Sequence, residues 1–347
     1  MSTTQTNETP QYFVGFDIAS ESFTLAVGTM PWQLLHQPVT FPNTQEGFRQ
    51  CLDWLTQRQC TPDTSLLCLE ATGVYGEAMT YFFTSKGYPL VLEHPLKVKR
   101  AFDPSGRKTD AVDSKQIAEY AVRFLDELHF WKPPVECLEQ MDTLLATRER
   151  YVTQRTATQN ALTALLRKHV RTPLAEQLHQ QTLEHLKDSI QAIDAEIARL
   201  IDQDQGFREK VALLRSIPGV GLLLAAHLCV HTEGFTQALQ PKPMAAYLGI
   251  CPLEHTSGTS VYRPAQSRHF GPSRMRKLLY LASLSLRTHQ ATFKHYFLRK
   301  VAEGKSKRLV LNNIANKLVR LICAVLRDGK PFVPNYVSVN PNLLTNA

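Results

Sequence analysis

Four acidic residues stand where folding could gather them into one catalytic site. Asp17 and Glu70 each lie at the end of an apolar, strand-like run. Asp110 and Asp113 are three residues apart at the start of a predicted helix, so they share one face of it. Carboxylates that are buried together need a cation to neutralise them. Because Mg²⁺ prefers oxygen ligands, the four acids predict a Mg²⁺ or Mn²⁺ site suited to phosphodiester chemistry.

Each acid taken alone also has an ordinary structural interpretation. Asp110 fits the first turn of a helix, where the helix dipole favours a negative charge. Asp113 fits a solvated helix face, and Glu70 fits a strand that ends in solvent. Only the combination of the four favours a metal site.

Ser257 is the candidate nucleophile. It lies with Gly258 after Pro252, and such a Ser-Gly pair is also typical of a plain turn. A serine hydroxyl is a weak nucleophile until its proton is removed or its target is polarised. His255 is close in sequence, but nothing in the sequence assigns it as the base. A metal held by the acidic residues could instead polarise a phosphate for Ser257.

Two further features of the carboxyl-terminal half predict contact with nucleic acid. The run Ser216-Ile217-Pro218-Gly219-Val220-Gly221 resembles the hairpin of a helix-hairpin-helix element, in which Gly219 and Gly221 let backbone N–H groups approach a phosphate. A simple turn between two packed helices is the alternative. The stretch 262–308 carries twelve Lys and Arg residues against one acid, Glu303. The side chains from it that we expect to contact phosphates are Arg263, Arg268, Arg274, Arg276 and Lys277.

Composition limits the class of protein. The net charge of +8 over 347 residues favours a polyanionic partner, and 43% apolar residues are enough for folded cores. The seven cysteines form no CxxC pair, and their odd number favours a reduced, cytoplasmic setting over a disulfide framework. The first ten residues lack the apolar core of a signal peptide, and polar residues interrupt the apolar stretch 309–326, so we expect no membrane span.

Element patterns divide the chain into segments. Strands are predicted over 12–18, 22–29, 34–41, 65–70 and 88–92, and helices over 44–58, 75–86 and 109–125. Strands that alternate with helices predict an α/β domain. Residues 135–204 predict two long helices that form either an antiparallel hairpin or a coiled coil with another subunit. Residues 207–330 are predicted to be helical and basic.

In its motifs, the chain resembles transposases of the insertion-sequence "one-ten" family, which are bridge-RNA-guided DNA recombinases related to Piv-type DNA invertases. The motifs that carry the resemblance run in the same order through both halves of the chain. They are Gly15-Phe16-Asp17-Ile18-Ala19, Glu70-Ala71-Thr72-Gly73-Val74-Tyr75, Lys108-Thr109-Asp110-Ala111-Val112-Asp113-Ser114, Ile217-Pro218-Gly219-Val220-Gly221, Tyr247-Leu248-Gly249-Ile250-Cys251-Pro252, Ser257-Gly258 and Gly271-Pro272-Ser273-Arg274-Met275-Arg276.

The resemblance implies a domain plan and an active site. It implies a flexible tail (1–10), an RNase H/RuvC-like DEDD domain (11–132), a helical coiled-coil linker (133–206), a mainly α transposase domain (207–335) and a second tail (336–347). The DEDD metal ligands would be Asp17, Glu70, Asp110 and Asp113, and the catalytic serine Ser257. The family acts on donor and target DNA with a structured guide RNA. It assembles as a tetramer whose active site combines the acidic domain of one subunit with the serine domain of another, so we expect this chain to form a homo-oligomer, a dimer to a tetramer.

The resulting expectation is a bacterial, nucleoid-associated DNA recombinase that forms a phosphoserine intermediate. A metal-dependent nuclease or junction resolvase, with water as nucleophile, remains the alternative enzyme. A protein-directed invertase and a non-catalytic nucleic-acid-binding protein are two further alternatives.

Overall fold

The structure is a computed structural model whose described residues fall into two compact units. It describes residues 9–71, 73–102, 109–236, 240–257, 261–267 and 271–334, with the backbone alone for 252–257 and 261–267. The units comprise residues 1–133 and 134–347.

The first unit is a three-layer α/β domain. Its elements are β1 (Tyr12–Ile18), β2 (Ser22–Thr29), β3 (Gln33–Leu34), β4 (Val39–Pro42), α1 (Gln45–Thr56), β5 (Ser65–Glu70), α2 (Glu77–Ser85), β6 (Leu90–Glu93), α3 (Pro95–Arg100) and α4 (Asp110–Arg123). The six-stranded sheet has the order β3-β2-β1-β5-β6, with β4 also pairing with β2. Strand β1 is antiparallel to β2 and parallel to β5, which is parallel to β6.

Alternation along the strands separates the two faces of the sheet. Side chains such as Val14 and Phe16 form one core with α1 and α2. Side chains such as Phe13 and Leu66 form another core with α3 and α4. Both faces are covered, as expected for a sheet with parallel strands, and the predicted α/β class is confirmed.

Most predicted elements of this unit are present, and their caps explain where the helices begin. Thr44 accepts a hydrogen bond from Gly47 N at the start of α1, and Thr109 accepts one from Val112 N at the start of α4. The predicted strand over 34–41 is instead two short strands, β3 and β4. The six-residue helix α3 was not predicted, because it is too short to show a helical period in its apolar residues.

The second unit is mainly helical. Its elements are α5 (Glu136–Leu166), α6 (Pro173–Gln203), α7 (Gln205–Arg215), α8 (Leu222–His231), α9 (Pro241–Tyr247), β7 (Pro252–Ser257), β8 (Val261–Ser267), α10 (Ser273–His289), α11 (Ala291–Ala302) and α12 (Lys307–Asp328). The β7–β8 hairpin was not predicted, because β7 lacks the apolar alternation that marks a strand.

Helices α5 and α6 form an antiparallel hairpin. Cys137 near the start of α5 contacts the Leu200 carbonyl near the end of α6, at 3.8 Å. Further along, the Arg148 guanidinium donates to both carboxylate oxygens of Asp194, at 2.6 and 3.0 Å. The inner ends of both helices contribute to the same core as α7 to α12.

Helix α12 is the one helix in the described part of the chain whose length and composition would suit a membrane span. Half of its most apolar window is buried inside the unit, and residues such as Ile314 and Leu318 are fully covered by the core. This burial is what a central core helix requires.

Candidate active site

A row of polar side chains crosses the sheet of the first unit on the face that α4 covers. Asp17 pairs with Thr24 across β1 and β2, and Thr24 pairs with Thr40 on β4. On the other side, the register Phe16–Leu69 places Asp17 beside Glu70 one residue further on. Paired residues on neighbouring strands point to the same face, so two of the four predicted acids lie next to each other.

Helix α4, which carries the other two acids, packs over the face of the sheet that bears this row. Asp110 and Asp113 lie in its first turn, where the dipole favours negative charge. Gly15, on β1, sets how closely the helix packs, because a Cβ there would collide with the Ser114 carbonyl and the Ala118 nitrogen. The residue that follows Asp113 is thus in direct contact with the strand that carries Asp17.

Asp110 also lines a cavity that adjoins the polar row. The cavity has a volume of about 480 Å³, and Thr24, Thr40 and Thr109 are among its lining residues. Thr24 and Thr40 share a hydrogen bond of 2.9 Å between their hydroxyl oxygens. The amino-terminal end of α4 therefore faces open, polar space.

The donor chemistry of the four acids fits a hard divalent cation. All four donors are carboxylates, two from neighbouring strand ends and two from one helical turn, and Mg²⁺ prefers such oxygen ligands. Among the described residues, no three His, Cys, Asp or Glu side chains are already grouped as ligands of one ion. Binding would therefore require these side chains to turn towards a common point.

A fifth carboxylate, Glu93, was missed by the sequence analysis. It ends β6, pairs with Glu70 and is 4% exposed. Lys97 donates to its Oε1 at 3.3 Å and lies 3.1 Å from its Oε2. Burial, with added repulsion from Glu93, raises the pKa of the nearby Tyr120 hydroxyl. The signal was an acid after an apolar strand, as at Glu70, but the predicted strand ended one residue too early.

Ser257 lies at the far end of the β7–β8 hairpin. Its backbone pairs with Val261, the first residue of β8. The hairpin starts at Pro252, which pairs with Ser267. Ser257 is therefore the last residue of β7, at the end of the hairpin opposite Pro252.

The predicted nucleic-acid contacts differ in their surroundings. Gly219 has φ +83° and packs against the Ala282 carbonyl of α10, whereas a Cβ on Gly221 would meet open space. Arg276 donates to the Gly271 carbonyl at 3.1 Å, and Lys277 is exposed. Of Arg263 the structure describes the backbone alone, and Arg268 lies outside the described residues.

Arg274 is held inside a polar cluster of the second unit. It forms an ion pair with Glu149 on α5, and its side chain is 23% exposed. His227 on α8 is close enough to be affected by its charge; it is 4% exposed, and its Nδ1 is unpartnered among the described residues. Burial, and then the positive charges of Arg274, His231 and Arg148, lower the pKa of His227 to about 3.

The lowered pKa of His227 predicts a loss of stability in acid. The folded protein keeps this imidazole neutral, while the unfolded chain takes up a proton below the ordinary pKa of 6.5. The contribution of neutral His227 to the free energy of unfolding is therefore fully present above pH 6.5. It declines as the pH falls towards 3, by at most about 1.4 kcal/mol per pH unit. We expect urea unfolding of the wild type to lose more stability between pH 7 and pH 4 than that of His227→Phe. Parallel profiles for the two proteins would contradict this assignment.

Two models of known protein families match this chain. A model for DEDD transposases of the IS110 type, described as "Transposase", matches residues 14–170, and another, described as "Transposase IS116/IS110/IS902 family", matches residues 211–298. The chain belongs to the IS110 family of transposases. It is thus an enzyme of the class that cuts and rejoins DNA. The first match spans all four predicted acids, and the second spans Ser257.

Individual relatives of the family align with most of this chain. The chain is 26% identical to the "Pilin gene-inverting protein" of Moraxella bovis, over 92% of this chain and 97% of that protein. It is 24% identical to the "Transposase for insertion sequence element IS1111A" of Coxiella burnetii, over 70% of this chain and 73% of that protein. Among solved structures, a Thermus thermophilus RuvC in complex with a Holliday junction substrate matches 35% of this chain and 99% of that chain, with a TM-score of 0.28 and 14% identity.

Proposed function

We propose that this transposase is a site-specific DNA recombinase in which Ser257 cuts DNA and holds it as a covalent phosphoserine. The observation that carries the proposal is the separation of two chemical parts. One unit gathers Asp17 and Glu70 on neighbouring strands under the first turn of α4, and the other presents Ser257 at the end of a hairpin. A nuclease that uses water would need only the first part.

The proposed reaction balances without an external energy source. Ser257 Oγ forms a bond to the scissile phosphorus, and the P–O3′ bond breaks. The serine hydroxyl loses one proton, and the 3′ oxygen gains one as it leaves as a hydroxyl. Attack by another 3′-hydroxyl reverses these steps and rejoins the strands. Bound to the four acids, Mg²⁺ would supply charge stabilisation at the phosphate. Asp17, Glu70, Asp110 and Asp113 are the residues that would hold the ion.

The active site is proposed to form between subunits of a homo-oligomer, a dimer to a tetramer. The tip of the α5–α6 hairpin supports an assembly role, because four large apolar side chains there are exposed: Leu166, Val170, Leu174 and Leu178. A coiled coil between these tips would join subunits. The first unit of one subunit, which carries the four acids, would then meet the β7–β8 hairpin of another, which carries Ser257 (the serine hairpin).

Donor and target DNA are the proposed substrates, with a structured RNA as guide. Concentration of positive charge in residues 262–308 supports a polyanion surface. Arg263, Arg268, Arg276, Lys277 and the open backbone at Gly221 are its proposed contacts. Sequencing nucleic acid that co-purifies with the protein tests guidance: one discrete RNA supports it, and its absence together with activity favours a protein-directed invertase.

A strand-exchange assay tests the function as a whole. The purified protein, with its co-purified nucleic acid and Mg²⁺, is incubated with two end-labelled duplexes that carry the ends of its element and a target. We expect exchanged, rejoined strands and no accumulation of hydrolysed ends. Hydrolysed ends without exchange would favour the nuclease or resolvase, and binding without cleavage would favour a non-catalytic protein.

A further inference from the structure

The base of the serine hairpin is held by two asparagines of α12. Asn312 and Asn316 are one helical turn apart, and the Nδ2 of each donates to the Ile250 carbonyl at 3.0 Å. Asn316 also donates to the Asn312 carbonyl at 3.2 Å. A carbonyl oxygen has two lone pairs, so these two amides occupy the full acceptor capacity of Ile250.

Other contacts hold the same segment where the hairpin begins. The Ala245 carbonyl accepts from Ile250 N at 3.1 Å and from Cys251 N at 3.3 Å. Ile250 is 3% exposed within the core of the second unit. Beyond the hairpin, Gly271 packs against the same region, because a Cβ on it would collide with the Tyr247 carbonyl. The chain is thus held by the core just before the hairpin and again at Gly271.

We propose that Asn312 and Asn316 are positioning residues that set the direction of the β7–β8 hairpin and hence the place of Ser257. β7 starts two residues after Ile250 and runs to Ser257, so a small rotation at the base is enlarged at the far end. A displacement of about 1 Å of a reacting group can cost about 100-fold in rate. This proposal rests on the proposed role of Ser257.

The two amides act redundantly on one oxygen, which makes the pair testable. With either asparagine present, the buried Ile250 carbonyl keeps a donor, and with both removed it has none from α12. We therefore expect Asn312→Ala and Asn316→Ala each to slow covalent protein–DNA adduct formation less than about 3-fold. We expect the double variant to slow it at least about 30-fold at saturating DNA, which is more than the product of the single effects. The Kd for DNA should stay within about 2-fold of the wild type, because the basic surface is intact.

Asn313→Ala is the matched control, since Asn313 has the same residue type on the same helix and we expect it to leave the adduct rate unchanged. If the double variant fails to fold, Asn316→Asp tests the proposal instead. It keeps the shape of Asn316 but turns an acceptor towards the carbonyl, and Asn313→Asp controls for charge. Slower adduct formation by Asn316→Asp than by Asn313→Asp, at equal DNA affinity, supports the proposal.

The proposal would be overturned by a folded double variant that forms adducts at the wild-type rate, or by one whose adduct rate and Kd for DNA change together. If the double variant is unfolded, equal adduct rates for Asn316→Asp and Asn313→Asp would overturn it. Failure of the proposed function looks different, because the wild type itself would then form no adduct at Ser257.

Discussion

Ser257→Ala is expected to abolish covalent adducts between this protein and DNA. Without the hydroxyl, no bond to phosphorus can form, and loss of a nucleophile lowers turnover by at least about 10⁴-fold. The measurement is a denaturing gel of labelled DNA after incubation with Mg²⁺, followed by mass spectrometry of the adduct. In the wild type, the nucleotide should be attached to Ser257.

Ser267→Ala provides the matched control, because Ser267 has the same residue type on the partner strand and pairs with Pro252 at the base of the hairpin. It should form adducts as the wild type does. DNA affinity should be the same for both variants, since a single hydroxyl contributes little to a surface that binds many phosphates. Adducts that persist in Ser257→Ala would remove the serine from the mechanism.

Asp17→Asn and Asp113→Asn are each expected to lower DNA cleavage by about 10²–10³-fold, and the double variant should show none. Each change replaces a charged oxygen donor with a neutral amide, which weakens both cation binding and charge stabilisation at the phosphate. Cleavage is measured at saturating DNA, so that the loss is assigned to the chemical step. Normal recombination by the double variant would make the acids purely structural.

A second measurement separates metal binding from activity. A ligand that binds only the folded protein stabilises it by about 2.7 kcal/mol at 100 times its Kd. Mg²⁺ or Mn²⁺ should therefore raise the Tm of the wild type and not that of the double variant. Asp126→Asn is the control, because Asp126 is an exposed carboxylate in the same unit. An equal rise in all three proteins would place the cation elsewhere.

Local signals were enough to predict most of the first unit. Apolar, strand-like runs predicted β1, β2 and β5, and Thr44 and Thr109 marked the starts of two helices that the structure contains. The positions of Asp17 and Glu70 at strand ends follow from the same apolar runs. Weak local signals explain the failures: α3 is too short to show a period, and the β7–β8 hairpin has the composition of a loop.

The sequence by itself determined the α/β class of the first unit, the helical character of the second and the identity of the candidate catalytic residues. Only the tertiary structure decided which residues are neighbours. The strand register brings Thr40, Thr24, Asp17, Glu70 and Glu93 into one row. The absent side chain of Gly15 lets α4 pack closely over that row. In the second unit, Asn312 and Asn316 reach Ile250 across more than sixty residues of chain. Periodicity reports the surroundings of a residue along its own element, whereas register and long-range hydrogen bonds depend on how separate elements pack.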